Sequence, residues 1–353
     1  MTEVHPQFAP LVEAIHAGPR WETLEPTALR QMPMAAPAQP PSDSVATHDL
    51  EVGGATGPLP ARLYVPRGSP QSGPGLVFFH GGGFVIGDLA SHDAVCRRLA
   101  ERSGVKILSV AYRLAPEHRF PAAHDDALAS TRWAFDNSAS LGFDHGRIGI
   151  GGDSAGGNLS ASVALDMRGD PARRLLFQLL LYPATQTAEK LPSRSEFAEG
   201  YFLTGALIDY FMDHLFGDTA RRDNPRVAVL DQDVTGAPPA FVSVGSCDPL
   251  RDESRAYAEK LRAAGTPVEY VEYPGFIHGF YSFADVAPVT LAAFDEAAMA
   301  LTNGLAQPAT ERTRETTAQG QDLPWNPILR ADTRDIGRSI SAGIGASRSG
   351  SGR

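Results

Sequence analysis

Short apolar runs alternate with longer helical segments along most of the chain from Gly75 onward. The runs predict buried strands at Leu76–Phe79, Val105–Val110, Arg147–Ile150, Leu175–Leu181, Ala240–Val244 and Val268–Glu272. Helical segments separate most of them, at Ser91–Ser103, Ala122–Asn137, Ala155–Met167 and Asp252–Ala264. Strands that alternate with helices in this way form a parallel sheet that is covered on both faces. The pattern therefore predicts an α/β domain with its ligand site at the carboxyl ends of the strands.

The chain before this region has a different pattern. An amphipathic helix is predicted by four apolar residues at helical spacing, namely Phe8, Leu11, Val12 and Ile15. A second helical segment, Trp21–Met32, precedes a proline-rich connector, and the runs Val45–Val52 and Ala61–Val65 then predict an antiparallel hairpin. We assign residues 1–44 to N-terminal cap helices. The pattern leaves open whether they cover an active site or pack as an ordinary peripheral pair.

The main domain is expected over residues 45–305, with one long insertion. Tyr182 and Ala240 are separated by 57 residues, far more than a crossover needs, and Thr204–Phe216 within them has the pattern of a helix. We therefore expect a cap insertion over about residues 184–236. Residues 306–353 are rich in Ser, Thr, Gly, Gln and Arg, and this composition predicts a disordered tail.

Composition and charge narrow the classes of partner. The 353 residues are 42% hydrophobic, and 41 acidic against 31 basic side chains give a net charge of −10. This acidic balance argues against nucleic acid and anionic membranes as main partners. Two cysteines, Cys96 and Cys247, form neither a disulfide framework nor a metal-binding spacing. With no signal-peptide pattern and no apolar window long enough for a membrane span, we expect a cytoplasmic protein without metal or cofactor.

The stretch Gly152-Asp153-Ser154-Ala155-Gly156 carries the first candidate chemistry. It connects a predicted buried strand to a predicted helix, and a serine between glycines at such a turn has the form of a nucleophile elbow. A sharp turn exposes the serine hydroxyl, and bulk at either glycine would collide with the neighbouring strand and helix. Ser154 is therefore the candidate nucleophile.

A base and an acid should follow the serine along the chain. Only His214 and His278 follow Ser154 among the histidines, and His214 falls in the expected cap. His278 comes shortly after the last predicted strand, where a general base is expected. Asp248 follows the strand Ala240–Val244 and is the preferred acid. Its neighbours Asp252 and Glu253 are rivals, but they open the next helix, where carboxylates more often cap the helix.

The segment His80-Gly81-Gly82-Gly83-Phe84 follows the strand Leu76–Phe79 directly. Consecutive glycines let backbone amides point at a substrate oxyanion, which needs such donors. The amides of Gly82 and Gly83, together with that of Ala155, are therefore candidate oxyanion-hole donors.

Five segments together resemble one family. They are His80–Phe84 (HGGGF), Ala111–Glu117 (AYRLAPE), Gly152–Gly157 (GDSAGG), Asp248–Glu253 (DPLRDE) and His278–Phe280 (HGF). In this order and spacing the chain resembles the hormone-sensitive-lipase-like serine esterases, the bacterial family IV carboxylesterases, over roughly residues 8–305. The tail after Leu305 has no counterpart in the family pattern.

The resemblance implies an α/β-hydrolase fold, with an eight-stranded, mostly parallel sheet and a helical cap. It also implies hydrolysis of short- to medium-chain carboxylic esters by Ser154, Asp248 and His278 through an acyl-enzyme, and it gives His80 a structural role in ordering the oxyanion loop. The expected partner is a small-molecule ester, and a homodimer is left open. Three rival functions remain at this stage: a non-catalytic small-molecule receptor, a dinucleotide-binding oxidoreductase, and an amidase or deacetylase using the same triad.

Overall fold

Eight strands form one sheet in the computed structural model, which describes residues 3–32, 43–217 and 222–306. In chain order they are β1 Val45–Gly53, β2 Pro58–Pro66, β3 Gly73–Phe79, β4 Lys106–Val110, β5 Phe143–Asp153, β6 Gln178–Leu181, β7 Ala240–Cys247 and β8 Val268–Ile277. Their order across the sheet is β1-β2-β4-β3-β5-β6-β7-β8. The hairpin β1–β2 is antiparallel and β2 meets β4 antiparallel, whereas β4 and all later neighbours run parallel. The predicted fold class is confirmed.

Helices cover the sheet and also lie beyond its carboxyl edge. In chain order they are α1 Ala9–Ala17, α2 Pro26–Leu29, α3 Asp93–Ser103, α4 Ala122–Asp136, α5 Ser138–Leu141, α6 Ala155–Asp166, α7 Pro192–Glu196, α8 Gly205–Phe216, α9 Arg251–Ala263 and α10 Thr290–Gly304. Short 3₁₀ turns lie at Trp21–Thr23, Val229–Asp231 and Phe280–Phe283. Within the described residues no helix is long and apolar enough to cross a membrane.

Two predictions about elements need correction. The segment Trp21–Met32 is not one helix, because Glu25 precedes Pro26 and has extended backbone, which splits the segment into a 3₁₀ turn and the short α2. The last strand was predicted to end at Glu272 but continues to Ile277 past an irregularity in its pairing with β7, where Gly275 N donates to Ser246 Oγ. The strand thus ends next to His278.

The core lies on both faces of the sheet. Along β3 the side chains alternate, so that Val77 and Phe79 join the layer beneath α4 and α6, and Leu76 and Phe78 join the layer beneath α3 and α10. Helix α10, for which the sequence analysis assigned no element, completes the second layer. The proline-rich connector and the tail after residue 306 lie outside the described residues.

Candidate active site

The candidate nucleophile lies at the turn between β5 and α6. Ser154 has a φ of 53°, in the left-handed region that costs a side-chain-bearing residue about 1–3 kcal/mol. A Cβ at Gly156 would overlap the carbonyl oxygen of Phe79, and one at Gly152 would overlap the backbone of Gly156. On both sides of the serine, backbone therefore packs against neighbouring backbone with no room for a side chain between them. The two glycines make this tight turn sterically feasible.

Ser154, His278 and Asp248 form one hydrogen-bonded chain. Nε2 of His278 lies 2.9 Å from Oγ of Ser154, and Nδ1 lies 2.8 Å from Oδ2 of Asp248. His278 directly follows β8 and Asp248 directly follows β7, so adjacent parallel strands bring them to one edge of the sheet. Asp248 is fully buried, and its other oxygen accepts a 2.7 Å hydrogen bond from Leu250 N. The acid is thus fixed from both sides, and the imidazole is aligned on the serine.

The alternative acids and the second histidine have other contacts. Glu253 is buried in the first turn of α9, pairs with Arg194 and accepts hydrogen bonds from two backbone amides. Asp252 accepts from Ser193 N at 2.9 Å. Both carboxylates therefore attach the inserted segment to α9. His214 lies on α8 with its ring packed edge-on against Tyr210, within the expected cap. The structure brings Asp248, and neither of its rivals, against His278.

The glycine segment after β3 has a backbone that only glycine adopts readily. Gly82 has a φ of 113° and Gly83 a φ of 61°. A Cβ at Gly82 would overlap the carbonyl oxygen of Ile86, and one at Gly83 would overlap the ring of Phe211. In the described part of the chain, the amides of Gly82, Gly83 and Ala155 have no protein acceptor. These three donors remain available for an oxyanion.

His80 is buried beneath this segment. Its ring stacks on Tyr112 with centroids 4.4 Å apart, and its Nδ1 lies 2.8 Å from Gly81 O. Burial, aided by the nearby imidazole of His92, lowers the pKa of His80 to about 4. The ring is therefore neutral near pH 7 and holds its proton on Nδ1 toward the Gly81 carbonyl. Tyr112 also donates to His80 O at 2.8 Å, so both residues hold the start of the oxyanion segment.

Asp153 connects this segment to the nucleophile turn, and the sequence analysis missed that role. Its Oδ1 accepts from Gly81 N at 2.8 Å and lies 3.3 Å from Nε2 of His92. Burial alone would raise the pKa of the carboxyl, but His92 and the Gly81 amide outweigh it and lower that pKa. The one signal in the sequence was the position of Asp153 directly before Ser154. Nothing in the sequence indicated His92 as its partner.

A pocket opens above Ser154. Its walls are mainly apolar side chains of α8 and the neighbouring segments, among them Ile208, Phe211 and Met212. Arg194 lines it as well, with its charge paired to Glu253. Across residues 3–32, 43–217 and 222–306, no group of three or more His, Cys, Asp or Glu side chains could hold a metal ion.

Comparison with known proteins gives consistent matches. A family model described as alpha/beta hydrolase fold matches residues 76–282. Esterase LipI of Mycobacterium tuberculosis is 39% identical over 281 residues, which are 78% of this chain and 87% of the relative. Carboxylesterase NlhH of the same organism is 40% identical over 260 residues, 70% of this chain and 79% of the relative. The solved ester-hydrolase EH1AB1 from the metagenome of Lake Arreo has a TM-score of 0.81 and 39% identity, covering 85% of this chain and 98% of that one.

Proposed function

This chain belongs to the alpha/beta hydrolase fold family, in its hormone-sensitive-lipase-like branch, and on that premise we propose that Ser154, His278 and Asp248 are its catalytic triad. The chain is a carboxylic ester hydrolase. The observation that carries the residue assignment is the position of the His278 imidazole, 2.9 Å from Ser154 Oγ and 2.8 Å from Asp248 Oδ2. This arrangement matches the requirements for a serine nucleophile, its base and an orienting acid.

In the first half-reaction, Ser154 Oγ attacks the ester carbonyl carbon while its proton passes to Nε2 of His278. Nδ1–H of His278 donates a hydrogen bond to Asp248. This bond leaves Nε2 as the nitrogen that takes the serine proton. The amides of Gly82, Gly83 and Ala155 stabilise the negative charge on the carbonyl oxygen. When the intermediate collapses, the bond to the alkoxy oxygen breaks and the alcohol leaves with the proton from His278.

In the second half-reaction, water attacks the acyl-enzyme by the same route. His278 takes a proton from the water and returns it to Ser154 Oγ as the acyl–oxygen bond to the serine breaks. The products are the carboxylic acid and the free enzyme.

The cap and the chain length of the substrate also belong to this proposal. We infer that the described parts of residues 1–44 and of about 184–236 together form the cap, because Trp21 from the first segment and Phe211 from the second line the same pocket. Tyr210 OH also donates to Leu24 O at 2.9 Å, which links the two segments. The apolar lining of the pocket beneath the inferred cap favours short- to medium-chain esters over aggregated lipids.

Replacing Ser154 with alanine tests the assignment. We expect hydrolysis of p-nitrophenyl butyrate to fall to the background rate and covalent labelling by a fluorophosphonate to disappear. Ser162→Ala is the matched control, because this buried hydroxyl lies on helix α6, which begins directly after Ser154, and has no hydrogen-bond partner among the described residues. Retained turnover in Ser154→Ala, with full activity in Ser162→Ala, would refute the assignment.

The cytoplasmic location and the homodimer remain predictions. The cytoplasmic location is supported by the two buried thiols of Cys96 and Cys247, which suit a reducing compartment. The homodimer left open by the sequence can be examined by sedimentation of the purified protein.

A further inference from the structure

Two cavities in the cap region share one wall. The first is the pocket above Ser154, and the second lies between the N-terminal segment and the residues around the start of α8. Three residues line both cavities, namely Trp21, Phe202 and Leu207. The substrate pocket and the second cavity are therefore separated by a single layer of side chains.

The aromatic part of this wall is one contact between distant parts of the chain. Trp21 comes from the N-terminal segment and Phe202 from the insertion, and their rings meet edge to face with centroids 5.5 Å apart at 88°. Both side chains are partly exposed. Tyr210 on α8 holds the Trp21 turn in place through its hydrogen bond to Leu24 O. The wall thus rests on a side-chain contact, which substitution can remove without breaking a backbone connection.

The second cavity differs in chemistry from the first. Ile15 and Leu207 supply apolar surface close to the wall, whereas His16, Arg20 and Glu199 supply polar groups. The first pocket is mainly apolar around Ser154. An aliphatic chain that crossed the wall would pass from an apolar pocket into a cavity with an apolar side and a polar, water-accessible side.

We propose that the second cavity is an extension of the substrate site for a long aliphatic arm of the ester, and that Trp21 and Phe202 set the upper limit of chain length by closing it off. This inference rests on the proposed function of the Ser154 pocket. Trp21 is a specificity-determining residue in this account and takes no part in the chemistry. Arms that end within the first pocket do not enter the second cavity, so the ratio of long-chain to short-chain kcat/KM reports on the wall.

The expected effect follows from apolar burial. Each methylene that is newly buried increases kcat/KM by about fourfold when burial is complete. Removal of the Trp21 ring would let an arm extend beyond the wall, so the gain should begin at the length where the native enzyme declines. Several newly buried methylenes should raise kcat/KM for long esters by about tenfold to hundredfold relative to the native enzyme.

The test compares native enzyme with Trp21→Ala across p-nitrophenyl esters from acetyl to dodecanoyl and alkyl acetates from methyl to decyl. We expect the optimum of kcat/KM, normalised to the acetyl ester of the same enzyme, to move to longer chains in one series. That series identifies whether the acyl or the alcohol arm enters the second cavity. Trp21→Phe should give a smaller shift, because a phenyl ring keeps part of the wall.

Two further variants serve as controls. Trp133→Ala removes a tryptophan that packs against Gly53 in the β1 strand, so it reports general destabilisation and should leave the chain-length profile unchanged. Ile15→Trp in the Trp21→Ala background refills the second cavity and should reverse the long-chain gain.

An unchanged profile in Trp21→Ala, with normal short-chain turnover, would overturn the inference and leave the proposed function intact. An equal rise in kcat/KM at every chain length would also overturn the inference, because that result indicates that Trp21 restricts entry of all substrates and not the length of the arm. Failure of the proposed function has a separate signature, which is ester hydrolysis retained in Ser154→Ala.

Discussion

Replacing Asp153 with asparagine tests whether the carboxylate before the nucleophile holds the oxyanion segment in place. Asp153 is buried, accepts a 2.8 Å hydrogen bond from Gly81 N and lies 3.3 Å from Nε2 of His92. Hydrogen bonds to charged groups contribute about 1.5–3 kcal/mol, and those between neutral groups about 0.5–1.5 kcal/mol. The asparagine oxygen can still accept from Gly81. We therefore expect the segment to lose about 1–2 kcal/mol of its anchoring free energy.

This loss should appear in kcat. Gly82 and Gly83 directly follow Gly81, so a loosened Gly81 displaces two of the three proposed oxyanion donors. A change of 1–2 kcal/mol corresponds to about fivefold to thirtyfold in rate, below the 10²–10³-fold typical for complete loss of one donor. We expect kcat on p-nitrophenyl acetate to fall by that factor with little change in KM. Fluorophosphonate labelling of Ser154 should slow by a similar factor.

Asp252→Asn is the matched control for this experiment. The Asp252 carboxylate also accepts a hydrogen bond from a backbone amide, Ser193 N at 2.9 Å, but holds the inserted segment and not the oxyanion segment. We expect its kcat to stay within about twofold of native, because no proposed oxyanion donor depends on it. Native kcat in Asp153→Asn, or a rise in KM alone, would refute the reasoning.

The remaining predictions concern stability. Glu253→Gln leaves the buried Arg194 charge unpaired and should reduce the free energy of unfolding by about 3–5 kcal/mol, measured by urea titration. Glu272→Gln, in a partly exposed ion pair, should cost less than about 1 kcal/mol, and equal losses would contradict the burial argument. Burial lowers the pKa of His92, but Asp153 outweighs burial and the net pKa is raised. This stabilisation is present below about pH 6.5 and is lost as pH rises through the folded-state pKa. Above that pH, the urea midpoint of His92→Gln should therefore fall less steeply than that of the native protein. Equal falls in the two proteins would exclude His92 as the source of the pH dependence.

Much of the fold could be predicted from local pattern. Apolar runs indicated all eight strands, six of them among helical segments and two as a hairpin, and the class of the sheet is confirmed. The errors have local physical causes. Pro26 broke the predicted helix Trp21–Met32, and the final strand extended through Pro274 and Gly275, residues that usually end strands. Apolar spacing alone does not resolve such boundaries.

The candidate site likewise has residues that the sequence predicted and contacts that it did not. Ser154, Asp248 and His278 each follow a strand directly in the structure, and the G-x-S-x-G pattern together with the chain order was enough to propose them. The contacts of Asp153 were not predictable, because Gly81 lies 72 residues earlier and the bond depends on how two strand ends meet. His92 likewise becomes its partner only through packing.

The sequence by itself determined the alternation of strands and helices, the glycines that the tight turns need, and the order of the chemical groups. These features depend on backbone sterics and side-chain periodicity within a few residues. Only the tertiary structure decided which buried charges pair and which side chains line the pocket above Ser154. The wall of Trp21 and Phe202 joins residues that are far apart in the chain, and its position follows from how the N-terminal segment packs against the insertion. No local pattern encodes such a contact, because its geometry exists only once both segments have packed.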